Sequence, residues 1–110
     1  MKAMLVFVAI GITTLFSRPI LGAALIGEGG KSCGTWVAER KGDSHVLLAT
    51  WVLGYLSGRA SSENSSALST TDLNAIIAWM DNYCAANPLD YITDGTNRLH
   101  QELQKRAHIK

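Results

Sequence analysis

The fold class is decided by residues 72–88, DLNAIIAWMDNYCAANP. From Leu73 onward, apolar side chains recur three, four, seven and eleven residues later, and the last of them is Cys84. This spacing places the side chains on one face of an α-helix. We therefore predict an amphipathic helix whose apolar face is flanked by Trp79 and Tyr83.

Capping residues predict the limits of this helix. Thr70 or Thr71 is expected to be the N-cap, and Asp72 is expected in the first turn, where a negative charge suits the helix dipole. Asn87 and Pro88 are expected to end the helix and to serve as the N-cap and first residue of the next one. That last helix, with Asp94-Gly95 in its middle, is predicted to direct inward the side chains of Leu89, Ile92, Leu99 and Leu103.

Two further helices are predicted upstream. The first begins near Ser32 or Cys33 and stops at Gly42, and the second is capped by Asp43 or Ser44. The second helix has a broad apolar stripe, formed by Val46, Leu47, Leu48, Trp51, Val52, Tyr55 and Leu56. The sequence thus predicts an all-α fold, a small four-helix orthogonal bundle.

The sequence leaves open the role of two glycines in the second helix. Gly54 and Gly58 lie four residues apart on one face. Glycine in a helix costs up to about 1 kcal/mol relative to alanine, so either another backbone approaches closely there or Gly58 ends the helix.

Residues 60–70, ASSENSSALST, are polar and aperiodic, and they are predicted to form a loop.

The N-terminal segment is predicted to be a secretory signal peptide. Residues 3–16 carry no charge, and this apolar run is shorter than the roughly 20 residues of a membrane span. An uncleaved membrane anchor is the alternative. Cleavage after Ala23 or Ala24 would divide the chain into a signal peptide, 1–24, and a helical domain, 25–110. The bacterial periplasm is the expected location.

Size and charge exclude several classes of protein. The chain has 110 residues, 47% of them hydrophobic, and a formal net charge of +1. This length suits one small domain and is too short for a Rossmann or TIM-barrel enzyme. A charge near neutrality predicts no nucleic-acid partner. Lys2 and Arg18 leave with the predicted signal peptide, so the mature chain has a net charge of −1 and is not expected to associate with a membrane.

The two cysteines, Cys33 and Cys84, lie 51 positions apart. In an oxidising compartment, a disulfide between them would join the first helix to the third. A thioredoxin-like redox site is not favoured, because the sequence has no Cys-x-x-Cys pair. A cysteine nucleophile would need a histidine base, and no histidine lies near either cysteine in the sequence. The cysteines are therefore predicted to form a structural disulfide.

No motif for catalysis, for a metal or for a cofactor is present in the sequence. His45, His100 and His108 are scattered, without the spacing of metal ligands. Asp90 and Asp94 lie four residues apart, and a solvated face is favoured over a carboxylate pair in a cleft. We therefore predict that the protein is not an enzyme and that it binds no metal and no cofactor.

Aromatic side chains are the candidate residues for binding a protein partner. Their helical spacing suits packing in a core, and a partner-binding groove is the alternative. The groove would be formed by Trp51, Tyr55, Trp79 and Tyr83.

Four segments together resemble the HdeA/HdeB family of small periplasmic proteins. They are SCGTW at 32–36, WVLGY at 51–55, TD at 71–72 and NYCAANP at 82–88. The resemblance covers roughly residues 32–92 and implies a small all-α domain held by one disulfide, the role that Cys33 and Cys84 would take. Characterised members are acid-stress chaperones that are folded or dimeric at neutral pH. The resemblance therefore implies that this protein forms a homodimer and that in acid it binds unfolded periplasmic proteins as its clients.

A second resemblance is to the periplasmic immunity proteins that neutralise type VI secretion effectors. It is carried by GYLSG at 54–58, followed by a helix, Asn-Pro and a final helix. It implies a fixed surface that binds one effector at neutral pH, with Asp81, Asp90 and Asp94 as the expected contacts. A structural envelope protein with neither activity is a third interpretation.

The charge balance is compatible with activation by acid. Near pH 2 the nine carboxylic side chains are neutral and the three histidines are charged, so the side chains of the mature chain sum to +11. Self-repulsion of this size opposes compaction. A disulfide does not titrate, so it would keep the loosened chain partly compact.

Overall fold

The computed structural model describes residues 25–108, and the predicted signal peptide, 1–24, lies outside the described residues. Within them the chain forms four α-helices, which are α1 (Cys33–Glu39), α2 (His45–Ser62), α3 (Leu73–Ala86) and α4 (Ile92–His108). Two 3-10 helices, Glu28–Gly30 and Ala67–Thr70, precede α1 and α3. The predicted all-α class is confirmed.

Helix α1 begins where its capping residue predicts. Ser32 is the N-cap, and its Oγ accepts a hydrogen bond from the backbone N–H of Thr35 at 3.1 Å. Cys33, the first residue of α1, forms a disulfide with Cys84 of α3, and their Cα atoms are 4.6 Å apart. Both cysteines are fully buried, so the disulfide joins two helices inside the core. The predicted pairing is confirmed.

Helix α2 is longer than the sequence predicts. It continues through Gly58 to Ser62, and the backbone N–H of its C-cap, Glu63, donates to the carbonyl oxygen of Arg59 at 3.0 Å. Within residues 25–108 neither interpretation of the glycines holds. The helix does not end at Gly58, and a Cβ atom at Gly54 or Gly58 would meet no described neighbour within 4 Å.

The predicted loop over residues 60–70 is correspondingly shorter. Its first three residues belong to α2, and residues 67–70 form the second 3-10 helix. Ala60 and Ala67 are both buried. Burial of these two methyl groups anchors the ends of the connection to the core, which the polar composition of the segment does not reveal.

Helix α3 is capped by Asp72 rather than by Thr70 or Thr71. The Oδ1 atom of Asp72 accepts a hydrogen bond from the backbone N–H of Ala75 at 2.9 Å. A carboxylate both accepts this bond and places its charge at the positive end of the helix dipole, so it is the stronger cap.

Helix α4 begins later than predicted. Asn87 is the C-cap of α3 rather than the N-cap of α4, which starts at Ile92. Asp94 and Gly95 consequently lie in the first turn of α4 and not in its middle.

The five-residue connection before α4, residues 87–91, is held in place by the start of α1. The backbone N–H of Cys33 donates to the carbonyl oxygen of Asp90 at 2.7 Å, and that of Gly34 donates to the carbonyl oxygen of Pro88 at 2.9 Å. These bonds replace the helical pattern predicted for the connection. Leu89, predicted to point inward, is 93% exposed as a result.

The core is formed by side chains from one face of each helix. Its largest fully buried side chains are Trp36, Leu48, Leu56, Met80, Ile92 and His100. The predicted inward positions Leu99 and Leu103 of α4 are also buried. The apolar stripes predicted for α2 and α3 are wider than the faces that pack, because Val46, Leu47 and Leu73 are exposed.

None of the helices in the described part of the chain combines the length and the apolar composition that crossing a bilayer requires.

Candidate functional site

The four aromatic residues predicted to bind a partner form two stacked pairs on different helices. The ring centroids of Trp51 and Tyr55 in α2 are 5.0 Å apart, and those of Trp79 and Tyr83 in α3 are 5.3 Å apart. All four side chains are partly buried. The first pair also contacts α4, because the Tyr55 hydroxyl donates to Oδ1 of Asn97 at 2.9 Å.

Trp51 is covered by the segment around the first 3-10 helix. Its Nε1–H donates to the carbonyl oxygen of Ile26 at 3.2 Å. Gly29 lies so close to the indole that a Cβ atom there would overlap the ring. The carbonyl oxygen of Gly29 accepts a hydrogen bond from the buried hydroxyl of Thr93 at 2.6 Å. Residues 26–30 are therefore fixed between α2 and α4, and they cover the surface of the pair formed by Trp51 and Tyr55.

Trp79 and Tyr83, by contrast, line an open groove between α3 and α4. The groove consists of three adjoining depressions, and one or both of these rings line each of them. One depression, of about 290 Å³, extends along α3 because Ala75 and Ala78 leave space beside Trp79. The α4 wall of the groove is formed by Asn97, Arg98, Gln101, Glu102, Lys105 and Arg106. We call this surface the α3–α4 groove.

Asp90 and Asp94 border this groove, but both are engaged within the chain. The Tyr83 hydroxyl donates a short hydrogen bond to Asp90, and this bond raises the pKa of Tyr83. Asp94 accepts a hydrogen bond from the backbone N–H of Tyr91 at 2.9 Å. Two of the three carboxylates predicted to contact an effector thus take part in the folded structure itself.

The cations of the groove differ from one another in their pairing. Arg106 is paired with Glu102 of its own helix, with its Nε 3.2 Å from the carboxylate. Arg98 and Lys105 are exposed, and neither forms a salt bridge or a side-chain hydrogen bond with another described residue. The groove is lined by three cations, Arg98, Lys105 and Arg106, and by three carboxylates, Asp90, Asp94 and Glu102, so its formal charges sum to zero.

Asp81, the third predicted effector contact, joins α3 to α1. Its Oδ1 accepts hydrogen bonds from Nε1 of Trp36 at 2.8 Å and from Nε of Arg40 at 2.6 Å, and its Oδ2 accepts one from the Arg40 terminal nitrogen at 3.1 Å. Burial raises the pKa of the Asp81 carboxyl, but these hydrogen bonds and the positive charge of Arg40 outweigh burial and hold the pKa below its ordinary value. Asp81 therefore reinforces the two helices that the disulfide already joins.

Glu63 makes the corresponding contact between α2 and α4. Its Oε2 lies 2.9 Å from Nε2 of His100 and 3.0 Å from Nε2 of Gln104, and its Oε1 lies 3.1 Å from the Arg59 guanidinium. The hydrogen bonds from His100 and Arg59 hold the pKa of Glu63 below its ordinary value. His100 is fully buried, and its Nδ1 has no hydrogen-bond partner among the described residues.

Neither member of this contact is predicted from the sequence, because Glu63 falls in the predicted loop over residues 60–70 and His100 is one of three scattered histidines. One signal could have identified His100 as a buried residue. It lies four residues after Thr96 and three before Leu103, so it shares the face of α4 on which both of these residues are buried.

In the range 25–108, no group of three or more His, Cys, Asp or Glu side chains is placed to hold a metal ion.

Comparison of the chain with models of known protein families, with characterised proteins and with solved structures gives no match.

Proposed function

We propose that residues 1–24 direct export of the chain to the periplasm and are then removed, and that the mature protein acts there as an acid-stress chaperone of the HdeA/HdeB kind. In acid it would loosen and hold unfolded proteins in solution. The observation that supports this proposal is that carboxylates supply contacts between helices. Asp81 connects α3 to α1, and Glu63 connects the end of α2 to α4. Carboxylates lose their charge around and below pH 4, so these contacts weaken in acid.

The contact of Glu63 with His100 gives the direction of the pH effect. The pKa of Glu63 is lowered in the folded chain, so this residue stabilises the fold above its unfolded pKa. That stabilisation is lost as the pH falls through the folded pKa. In strong acid the Glu63 carboxyl is neutral, so its hydrogen bonds with the fully buried His100 and with Arg59 lose the strength that the charge gave them. We expect this contact of α2 with α4 to open first.

The disulfide determines which helices stay together during this opening. Cys33 and Cys84 keep α1 attached to α3 at every pH. Separation of α4 from α2 would instead uncover apolar side chains that are buried at neutral pH, among them Leu56, Leu99 and Leu103. Such a surface is suited to an unfolded client, because exposed apolar area associates with other exposed apolar area.

The experiment that tests the function is an aggregation assay with the disulfide-bonded mature protein. Light scattering of an acid-sensitive client is followed at pH 2–3 and at pH 7. We expect suppression of aggregation at pH 2–3 and none at pH 7. Unchanged scattering of the client at both pH values would remove the chaperone proposal.

A pair of variants tests the trigger. In Glu63→Gln the side chain keeps its size and loses its charge, so the loosening seen by circular dichroism should begin at higher pH than in the wild type. Glu102→Gln is the matched control, because among residues 25–108 Glu102 pairs only with Arg106 of its own helix. Equal shifts in both variants would show that overall charge, rather than the contact with His100, sets the transition.

The same protein distinguishes the alternative of an immunity protein. That alternative requires a tight complex with one effector at pH 7 and no effect on client aggregation in acid. Finding this combination would replace the chaperone proposal.

A further inference from the structure

We propose that the α3–α4 groove is the surface through which two copies of this chain associate about a twofold axis. The occupant of the groove is the second copy, and the two α4 helices lie antiparallel. The inference concerns the folded protein at neutral pH and does not rest on the proposed function.

The charges of α4 that border the groove alternate in sign. Every fourth residue is charged, and the series begins with a carboxylate and ends with a cation: Asp94, Arg98, Glu102 and Arg106. We call these four residues the charged row. An antiparallel second copy presents the same row in reverse order, so each carboxylate faces a cation. Asp94 then lies opposite Arg106, and Arg98 lies opposite Glu102.

This alternation distinguishes a second copy from other occupants of the groove. The formal charges that line the groove sum to zero, so a ligand with one sign of charge meets as much repulsion as attraction. A parallel copy in register would place like charges together. The antiparallel copy instead pairs every charge of the row with its opposite, and such complementarity selects both the partner and its orientation.

Most of the charged row has no ionic partner within its own chain. Residues four apart can also pair along one helix, but within the described part of the chain Arg106 with Glu102 is the one salt bridge of the row. Asp94 accepts a hydrogen bond from the backbone N–H of Tyr91, and this neutral donor leaves the carboxylate charge in place. The exposed pair of Arg106 with Glu102 contributes little on its own, so a second copy can share it.

The aromatic pair of α3 supplies the apolar part of the interface. Trp79 and Tyr83 are partly buried, and they line the groove beside the charged row. Ala75 and Ala78 are exposed and leave a depression of about 290 Å³ next to Trp79. These small side chains allow a partner helix to approach closely, and that helix would cover the two aromatic rings. Aromatic residues and arginine are enriched in protein interfaces.

The size of this surface predicts a weak dimer. Helix α4 has 17 residues and is about 25 Å long, and two packed helices are about 20 Å wide. The surface is therefore about 500 Å² on each copy, or about 1,000 Å² in the dimer, which is at the lower end for specific interfaces. We accordingly expect a dissociation constant of about 0.1–1 mM.

The first test is sedimentation equilibrium of the disulfide-bonded mature protein at pH 7. The protein concentration is varied from well below to well above the expected dissociation constant, at low and at high salt. We expect a reversible equilibrium between monomer and dimer that shifts toward the monomer in high salt. A protein that stays monomeric at the highest concentration, or that assembles beyond the dimer, would overturn the proposal.

Charge reversal tests the contact of position 98 with position 102. In a twofold dimer this contact occurs twice, so Arg98→Glu or Glu102→Arg each places like charges at two points. An exposed ion pair contributes up to about fivefold in affinity, so either variant should weaken the dimer by about tenfold. The double variant Arg98→Glu, Glu102→Arg has opposite charges at both contacts again and should recover the affinity of the wild type. A double variant as weak as the single ones would contradict the antiparallel pairing.

A mixture of the two single variants is the sharper test. In a heterodimer of Arg98→Glu with Glu102→Arg, position 98 of each chain faces an opposite charge at position 102 of the other. The mixture should therefore form heterodimers at concentrations where neither variant dimerises alone. Absence of heterodimers would overturn the proposal.

Matched controls make the same changes of charge outside the groove. Lys41→Glu and Asp43→Arg alter two exposed residues that do not line it, and each variant alone should dimerise like the wild type. Weakening equal to that of Arg98→Glu and Glu102→Arg would mean that net charge, and not the charged row, controls association.

Nuclear magnetic resonance locates the interface. On dilution, the indole resonance of Trp79 should shift, whereas that of Trp51, which bonds to Ile26 of its own chain, should not. Shifts confined to Trp51 or to the face of α2 around Gly58 would place the dimer on α2 and overturn the proposal.

The dimer and the chaperone proposal can fail separately. Sedimentation at pH 7 involves no client, and the aggregation assay at pH 2–3 requires no dimer. Circular dichroism of Glu63→Gln and Glu102→Gln is recorded on dilute protein, which is monomeric at the expected affinity, so loss of the dimer does not affect that comparison.

Discussion

Asp81 shows how much of the contact between two helices one side chain can carry. It accepts hydrogen bonds from the indole Nε1–H of Trp36 and from Nε and one terminal nitrogen of the Arg40 guanidinium. In Asp81→Asn the amide group would face Arg40 with N–H donors and lose the charge. We expect a loss of about 1 kcal/mol in the free energy of unfolding at pH 7, measured by urea denaturation.

The pH dependence of this loss identifies its cause. The pKa of Asp81 is below its ordinary value in the folded protein, so its stabilising effect is present above the unfolded pKa and disappears as the pH falls through the folded pKa. The difference between wild type and Asp81→Asn should therefore shrink at pH 3. Asp43→Asn, at an exposed carboxylate on the α1–α2 connection, is the control. A loss that is the same at pH 3 as at pH 7 would contradict an electrostatic origin.

Single residues also show what the sequence can and cannot predict. The pairing of Cys33 with Cys84 is predictable because no other cysteine competes and both lie on apolar helix faces. The partners of Glu63 are not, because its contact with His100 joins residues 37 positions apart through the packing of α2 on α4. Local pattern carries no information on which polar side chains meet across a core.

At the scale of elements, two glycines differ in their surroundings. Gly58 lies in α2 and Gly29 in the first 3-10 helix. Gly58 lies in the interior of α2, and no neighbour from the described part of the chain comes within 4 Å of its Cβ position, whereas a Cβ atom at Gly29 would overlap the Trp51 ring. Alanine favours a helix over glycine by roughly 1 kcal/mol, so Gly58→Ala should raise the free energy of unfolding by about 0.5–1 kcal/mol. Gly29→Ala should lower it by about 1–3 kcal/mol through overpacking.

Thermal or urea denaturation of both variants checks these values. A destabilised Gly58→Ala variant would contradict the open surroundings of this residue in the single chain. It would indicate that another molecule, such as a second copy of the protein, packs on this face of α2.

The limits of helices are predicted less well than their existence, and the connection before α4 gives the physical reason. Pro88 is a suitable first residue of a helix, and the sequence after it is compatible with helix. The carbonyl oxygens of Pro88 and Asp90 instead accept hydrogen bonds from the start of α1. Backbone groups more than 50 positions away thus determine where α4 begins. The local spacing of residues in the sequence carries no information about such distant contacts.

For the whole molecule, the disulfide is the largest single constraint on the unfolded chain. It closes a loop with a sequence separation of 51 residues, and closing a loop of about this length removes roughly 4 kcal/mol of chain entropy from the unfolded state. We expect the Cys33→Ser, Cys84→Ser double variant to lose about 2–4 kcal/mol in urea denaturation at pH 7. Because both cysteines are fully buried, reductant should act on the wild type only as fast as the chain opens. Rapid reduction without unfolding would contradict this burial.

The same constraint should control the size of the molecule in acid. A chain of the mature length has a radius of gyration of about 12 Å when folded and about 29 Å when unfolded. At pH 2 the side-chain charge of +11 expands the chain, but the disulfide keeps the start of α1 attached to the end of α3. Small-angle scattering at pH 2 should therefore give the wild type a radius between these limits, and the double serine variant a radius near the upper one. Equal radii would mean that the disulfide does not shape the acid state, and a chaperone surface would then have to form without a fixed α1–α3 pair.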